Sequence, residues 1–311
     1  MSSFVNLNCP LCTSENVSLY TRARDEEYAT TPDVFDYYHC PACNILFVHP
    51  MLGDQLGLIY PPNYYAFDNP GDSLVQRVKR ALDVRVFKKL TARFPKDQPL
   101  NILDVGGGDG SLLDIFSHVN HRIGATWVVD LDASAQEKAR AKGHQFHLGP
   151  VEEFTFDGKF DVVLMLNLIE HVTHPRDVLR QIKKLLAHNG TILIKTPNFD
   201  AFDARLFKNR HWGGLHTPRH FVLFTPESFA RLADEVGLKV SWCKLTQGAP
   251  FWAVSILAQA QKMGIIKINY GKGMHKHWLY KPMTLIFAAF DMLRSPFSKT
   301  SQMFVILEHN D

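Results

Sequence analysis

The decapeptide from Asn101 to Gly110, NILDVGGGDG, holds the densest chemical signal in this 311-residue chain. An apolar run (Ile102, Leu103, Val105) carries one acid, Asp104, and then breaks into Gly106, Gly108 and Gly110. That order reads as a buried strand, a tight turn and a helix start over 111–116. Glycine tolerates positive φ and has no Cβ, so a ligand can approach bare backbone there. A dinucleotide turn of the G-x-G-x-x-G type needs its third glycine at position 111, which is serine here. A second acid, Asp130, ends the next apolar run, 125–129. A carboxylate in that place accepts hydrogen bonds from ribose hydroxyls. Asp132 is better placed to cap the following helix, 133–142. Farther along, the apolar run 160–166 ends in Asn167, Leu168, Ile169, Glu170 and His171. Open α/β sheets bind ligands at the carboxyl ends of their strands, so this polar cluster should face the reacting groups. His211, His216, Arg219 and His220 then crowd into ten residues. Histidine takes up a proton near neutral pH, and Arg219 suits an acceptor phosphate or carboxylate.

Four cysteines stand in two knuckles, Cys9-Pro-Leu-Cys12 and Cys40-Pro-Ala-Cys43, with 27 residues between them. Each knuckle offers two thiolates from a tight turn, and two knuckles complete a tetrahedron, the spacing of a zinc ribbon. A closed four-cysteine site leaves no open position for water, so Zn2+ there would be structural. It would replace the core that about 50 residues cannot build alone. Two disulfides are the weaker reading, since no export signal accompanies the cysteines. Cys243 stands alone in an apolar strand and is expected to be buried and inert.

The elements that must position these residues alternate in type. Strands at 101–105, 125–129, 145–148, 160–166 and 191–195 are separated by helical or turn segments, which implies a doubly wound, mostly parallel α/β sheet. Two further strands, 239–245 and 303–308, would form an antiparallel final pair. Thr225 is placed to cap a helix from Pro226, with Gly237 ending it.

With these pieces in register, D-x-G-x-G-x-G over Asp104–Gly110 resembles the S-adenosylmethionine (SAM) site of class I methyltransferases. The branch it most resembles methylates small molecules, sugars and quinone-type acceptors. That likeness implies a seven-stranded sheet, SAM as methyl donor, and donor contacts at Asp104, Gly106, Gly108, Gly110, Asp130 and Asn167. It also implies an adenine-flanking loop at 149–152. Pro150 replaces the usual acid there, which leaves backbone groups near Val151 and Glu152 to make the contact. Glu170-His171 looks like the family's "EH" signature. Pro218, His220, Phe224 and Thr225 match its P-x-H-x-x-x-F-(S/T) pattern. His220 is then the first candidate base, His216 the reserve and His171 an alternative, each set against the plainer role of a hydrogen-bonding strut. The expected reaction is methylation of an oxygen or carbon on a small-molecule or sugar acceptor. An RNA base methyltransferase, or a SAM-fold scaffold without chemistry, is the alternative.

Three regions follow: a four-cysteine ribbon at 1–60, a Tyr/Pro-rich linker with a basic connecting helix at 61–98, and a SAM-binding domain at 99–311. Residues 1–60 hold two basic groups and seven acids. A negative module repels phosphate, which disfavours nucleic acid as a partner. Tyr60, Tyr64 and Tyr65 either present a flat surface to an acceptor or pack the ribbon against the larger domain. The connecting helix, 73–94, has Leu82, Val86, Leu90 and Phe94 as its expected apolar stripe. Its seven positive charges against Asp83 leave an anionic partner open.

An apolar and basic insertion at about 248–300 interrupts the last strand pair. From Lys262 to Lys299 it carries seven Lys or Arg against one acid, Asp291, interleaved with Trp and Phe. This is either a hydrophobic lid over the acceptor or a peripheral contact with an anionic membrane, in which case the acceptor would be lipid-linked, for example a glycan precursor. The first eight residues lack both a basic start and an apolar core, and no run of 18 apolar residues occurs. The expected location is therefore cytoplasmic, with membrane association, if any, at the cytoplasmic face.

Overall fold

The computed structural model describes residues 7–64, 74–119 and 122–310. Tyr65, Ser73 and the side chains of Arg77 and Lys79 lie outside the described residues. The chain starts with three antiparallel strands, β1 (Ser18–Ala23), β2 (Phe35–Cys40) and β3 (Ile45–His49), followed by α1 (Leu56–Ile59) and α2 (Leu74–Thr91). The larger region runs β4 (Leu100–Val105), β5 (Ile123–Asp130), α3 (Ala133–Ala141), β6 (Gln145–Leu148), β7 (Phe160–Leu166), α4 (Pro175–Leu185), β8 (Leu186–Pro197) and α5 (Phe202–Leu206). It continues through β9 (Val222–Leu223), α6 (Pro226–Glu235), β10 (Leu238–Thr246), α7 (Ala249–Lys262), α8 (Tyr280–Arg294) and β11 (Gln302–His309).

Seven strands form one sheet in the order β10-β11-β8-β7-β4-β5-β6. β10 and β11 pair antiparallel and β11 is antiparallel to β8, while the other neighbours are parallel. The expected mostly parallel, seven-stranded sheet is therefore present, with the antiparallel pair at one edge. β4 lies between β5 and β7, so the strand order reverses beside it, where such sheets open a crevice. Six of the seven residues of β7 are buried, as a strand covered on both faces requires.

Local chemistry fixes the ends of the elements. Asp132 accepts from the Ser134 N–H and caps α3. Thr225 and Ser228 form a reciprocal capping box on α6, and Gly237 beyond its end has φ +74°. The segment after the glycine turn departs from expectation: Leu113–His118 winds as a 3-10 helix.

Among the described side chains of α2, Phe87, Leu90 and Thr91 are buried, as is Phe94 just beyond its end, whereas Leu82 and Val86 are exposed. The stripe expected through Leu82 and Val86 is rotated because Phe87 stacks on Phe116 at a 4.5 Å centroid separation. Cys243 is exposed on β10, contrary to expectation. β10 is the edge strand of the sheet, and positions 241–244 all face solvent.

The small sheet is joined to the larger region through β9, which pairs with β3. One hydrophobic core runs from Cys9 and Tyr37 through Phe221 and Phe224 to Met165 and Val305.

Candidate active site

The donor side of the site is built on the turn after β4. Gly106, Gly108 and Gly110 all have positive φ (73°, 53° and 73°), which the sequence pattern required. A Cβ on Gly108 would meet nothing within 4 Å, so its backbone borders open space. A Cβ on Gly106 would instead strike Leu168 at 2.9 Å. Asp130 stands opposite. Its Oδ2 accepts from the Gly108 N–H at 2.8 Å and its Oδ1 from the Asp132 N–H at 2.9 Å. One lone pair on each oxygen is used to brace the turn, and the other is available to a hydroxyl.

Asp104 lies beneath the turn, fully buried, and its Oδ2 has no partner. Burial, with the nearby charges of Asp130 and Asp109, pushes its carboxyl up to about 8. It therefore carries a proton near neutral pH and acts as a donor rather than a second anion. The Gly149 N–H donates to the Asp130 carbonyl, which draws the 149–152 loop alongside. Val151 is buried there and Glu152 is exposed. Asn167 is exposed, in a left-handed conformation with φ +56°, and its N–H donates to Lys195.

The acceptor side gathers all three candidate bases. The His171 and His220 ring centroids are 4.7 Å apart, those of His216 and His220 5.0 Å, and those of His171 and His216 6.2 Å. His220 Nδ1 lies 2.7 Å from the Gly214 carbonyl, an acceptor only, so Nδ1 carries the hydrogen and Nε2 the lone pair. Burial, and then the neighbouring histidines, hold His220 well below its ordinary range, so the ring is neutral. Its Nε2 is 4.0 Å from Glu170 Oε1.

His216 has both nitrogens engaged, Nδ1 with Glu27 Oε1 at 2.7 Å and Nε2 with the Tyr64 hydroxyl at 3.1 Å. His171 Nδ1 meets the Arg219 carbonyl at 3.0 Å and the Tyr60 hydroxyl at 2.9 Å. Burial, and then His216, push His171 down to about 3. His211 stands apart, and neither of its nitrogens meets a partner among the described residues.

Glu170 is 1% exposed, with Oε2 accepting from the Thr196 hydroxyl at 2.9 Å. Burial pushes its carboxyl up to about 7. Glu170, His171 and His220 each bring one ligand atom to within 4.8 Å of the others, a donor set that also suits a divalent cation.

Several of these contacts were not foreseen. Asp25 and Glu27, two of the seven acids in residues 1–60, both reach the histidine loop, where they pair with Arg219 and His216. Arg219 does not reach toward an acceptor. Its guanidinium is fully buried and pairs with Asp25 at 2.7 Å, donates to the Ile59 and Thr217 carbonyls, and lies over the Tyr28 ring. With those donors committed, it serves as a strut. Tyr60 and Tyr64 hydrogen-bond histidines through their hydroxyls, a role between the two anticipated. Residues 211–224 are all buried, whereas connecting segments normally run over the surface.

The four cysteines converge at the far end of the small sheet. Cys9 and Cys43 Sγ are 3.9 Å apart, Cys12 and Cys40 Sγ 3.6 Å, and all four lie within 4.8 Å of one another. Tetrahedral Zn–S bonds of about 2.3 Å place sulfurs about 3.8 Å apart, so the cluster fits that ion. None of the four is disulfide-bonded.

A methyltransferase domain model matches residues 78–241, more than half of the chain. The chain belongs to this methyltransferase family. It is 30% identical over 145 residues to the mitochondrial ubiquinone biosynthesis O-methyltransferase of Dictyostelium discoideum, covering 39% of this chain and 44% of that protein. It is 25% identical over 188 residues to the ubiquinone biosynthesis O-methyltransferase of Bordetella avium (strain 197N), covering 56% and 74%. The chain thus spans under half of the first of these relatives. Among solved structures, a putative sarcosine dimethylglycine methyltransferase from Galdieria sulphuraria shares the fold, with TM-score 0.53, 11% identity, and coverage of 77% and 89%.

Proposed function

We propose that this protein is a SAM-dependent methyltransferase acting on an oxygen or carbon of a small-molecule or sugar acceptor, with His220 as general base. The observation that carries the reading is the join between the two halves of the site. Leu168 packs against Gly106 of the donor turn, and Glu170 follows two residues later, 4.0 Å from His220. Bound SAM supplies an electrophilic methyl on a sulfonium that leaves readily.

The chain's own residues do the rest. Gly106, Gly108 and Gly110 let the donor approach the backbone, and Asp104 lends a hydrogen beneath them. Asp130 accepts from the ribose, while the backbone at Val151 and Glu152 flanks the base. Asn167 closes the carboxyl end of β7. Enclosure of the site removes water and holds acceptor and donor in line. His220 Nε2, unprotonated and fixed by Gly214, takes the acceptor proton. Ionised Glu170 then stabilises the imidazolium so formed. His216 orients the pocket, because both of its nitrogens are engaged by Glu27 and Tyr64, and His171 is held in place through Nδ1 by Tyr60 and Arg219.

The reading also holds that residues 1–60 form a structural Zn2+ module at Cys9, Cys12, Cys40 and Cys43. Its purpose is to carry Asp25, Glu27 and Tyr60 to the larger region, not to read RNA.

Calorimetric titration with SAM and S-adenosylhomocysteine tests the donor half, and the absence of binding to either would leave only a scaffold. For the acceptor half, His220→Ala should lower turnover about a hundredfold or more while donor affinity stays unchanged. Unchanged turnover would remove His220 from the reaction.

A further inference from the structure

We propose that the insertion between β10 and β11 docks the protein on an anionic lipid surface through one face of α8. The inference goes beyond the methyl-transfer reading and does not depend on it. α8 packs on α7 through half-buried residues, with Phe287 stacked on Trp252 at 4.8 Å between centroids. Its outer face carries Leu285, Ile286, Met292 and Leu293, all exposed, and Phe297 follows beyond its end, 90% exposed. Trp278, just before the helix, is 75% exposed. Leu285, Ile286 and Leu293 recur at helical spacing, so they form one coherent stripe rather than scattered apolar residues.

Charge decides what covers this stripe. The only acid between Lys262 and Lys299 is Asp291, which is buried and paired with Arg294. Lys281 lies one turn from Leu285 on α8 and is exposed, and the preceding loop adds exposed Lys267 and Lys272. An apolar stripe with Lys281 one turn away, and with exposed lysines and a Trp in the segment leading into the helix, has the chemistry of a helix lying in an anionic interface. A second copy of the chain fits less well, because a self-complementary interface across this face would set lysine against lysine.

The insertion also touches the acceptor side. Ser255 of α7 accepts from the Gly213 N–H in the histidine loop, and the Met274 N–H donates to the carbonyl of Glu27. A face held against lipid by α8 therefore lies on the same body that encloses His216 and His220, which suits an acceptor carried on a lipid.

The full chain should co-sediment with vesicles of mixed phosphatidylglycerol and phosphatidylcholine and not with phosphatidylcholine alone, and added salt should release it. Leu285→Asp combined with Leu293→Asp should abolish co-sedimentation while S-adenosylhomocysteine affinity stays unchanged, which shows that the variant folds. Lys272→Glu and Lys281→Glu should each weaken binding roughly fivefold or more. A blue shift of Trp278 fluorescence on anionic vesicles, absent in Trp278→Ser, provides a reading at the face itself. The proposal is overturned if the unaltered protein ignores anionic vesicles, or if the paired aspartates leave co-sedimentation intact. It is equally overturned if lipid-free sedimentation shows a dimer that those aspartates dissolve.

Discussion

Asp25 and Arg219, separated by 194 positions in sequence, meet at 2.7 Å with both side chains fully buried. The pair fastens the strand-rich N-terminal module to the loop that carries His216 and His220. Arg219→Ala would leave the Asp25 carboxylate buried without its partner, at a cost of about 3–5 kcal/mol. Denaturant unfolding should show that loss as an earlier midpoint. Asp25→Ala with Arg219→Ala should cost much less than the two single changes added together. Strict additivity would mean that the two groups do not act as a unit.

The pH dependence of turnover should follow Glu170. Its carboxyl titrates at about 7, so the anion that stabilises a protonated His220 appears as pH rises through that value. Turnover should rise across this limb, and Glu170→Gln should flatten it and lower the plateau. A limb unchanged in Glu170→Gln would assign it to another group.

Stability should respond to pH through the same cluster, with opposing signs. Glu170 has a folded pKa raised from 4.5, so its contribution is full below 4.5 and is lost as pH rises through about 7. His171 has a folded pKa lowered from 6.5 to about 3, so the unfolded chain takes up a proton first as pH falls below 6.5. Its contribution is full above 6.5 and is lost on acidification toward 3. In Glu170→Gln one of the contributions that oppose His171 is removed, while that of Asp104 remains. Stability should then climb more steeply from pH 4.5 to 6.5 than in the unaltered protein, as measured by denaturant midpoints at each pH.

Asp130→Ala should weaken S-adenosylhomocysteine binding by tenfold or more. It would remove the carboxylate proposed to accept from the ribose, and it frees the Gly108 and Asp132 N–H groups that this carboxylate now braces. Gly108→Ala should cost the free protein about 1–2 kcal/mol for the left-handed conformation. Its Cβ would also stand in the open space where the donor is proposed to approach, so titration calorimetry should show weaker S-adenosylhomocysteine binding as well.

Metal removal should separate the two halves of the site. Metal analysis should find one Zn2+ per chain. A strong chelator, or Cys40→Ser, should loosen the small sheet and withdraw Glu27 and Tyr60 from the histidines. Turnover should fall while S-adenosylhomocysteine binding persists, since the glycine turn follows β4 and is braced by Asp130 at the end of β5. Loss of donor binding together with turnover would show that the module supports the whole fold.

The sequence by itself determined what depends on neighbouring residues. The glycine turn, the caps at Asp132 and Thr225, the strand periods and the knuckle spacing are all short-range, because φ preference, capping and side-chain alternation act within a few positions. Those signals located the seven strands, the four cysteines and Asp130, while the three histidines were singled out by a histidine-rich segment and by the resemblance to the family's motifs.

Tertiary structure alone decided what each group is for. His216 has its Nδ1 engaged because Glu27 lies 189 positions away in sequence and 2.7 Å away in space. Arg219 became a pin for the same kind of reason. Cys243 turned outward because β10 is the last strand of its sheet. The apolar face of α8 was left uncovered because Trp252 and its neighbours occupy the other side. Burial, charge pairing and proton affinity are properties of contacts between distant segments, and a linear pattern does not encode which distant segment arrives.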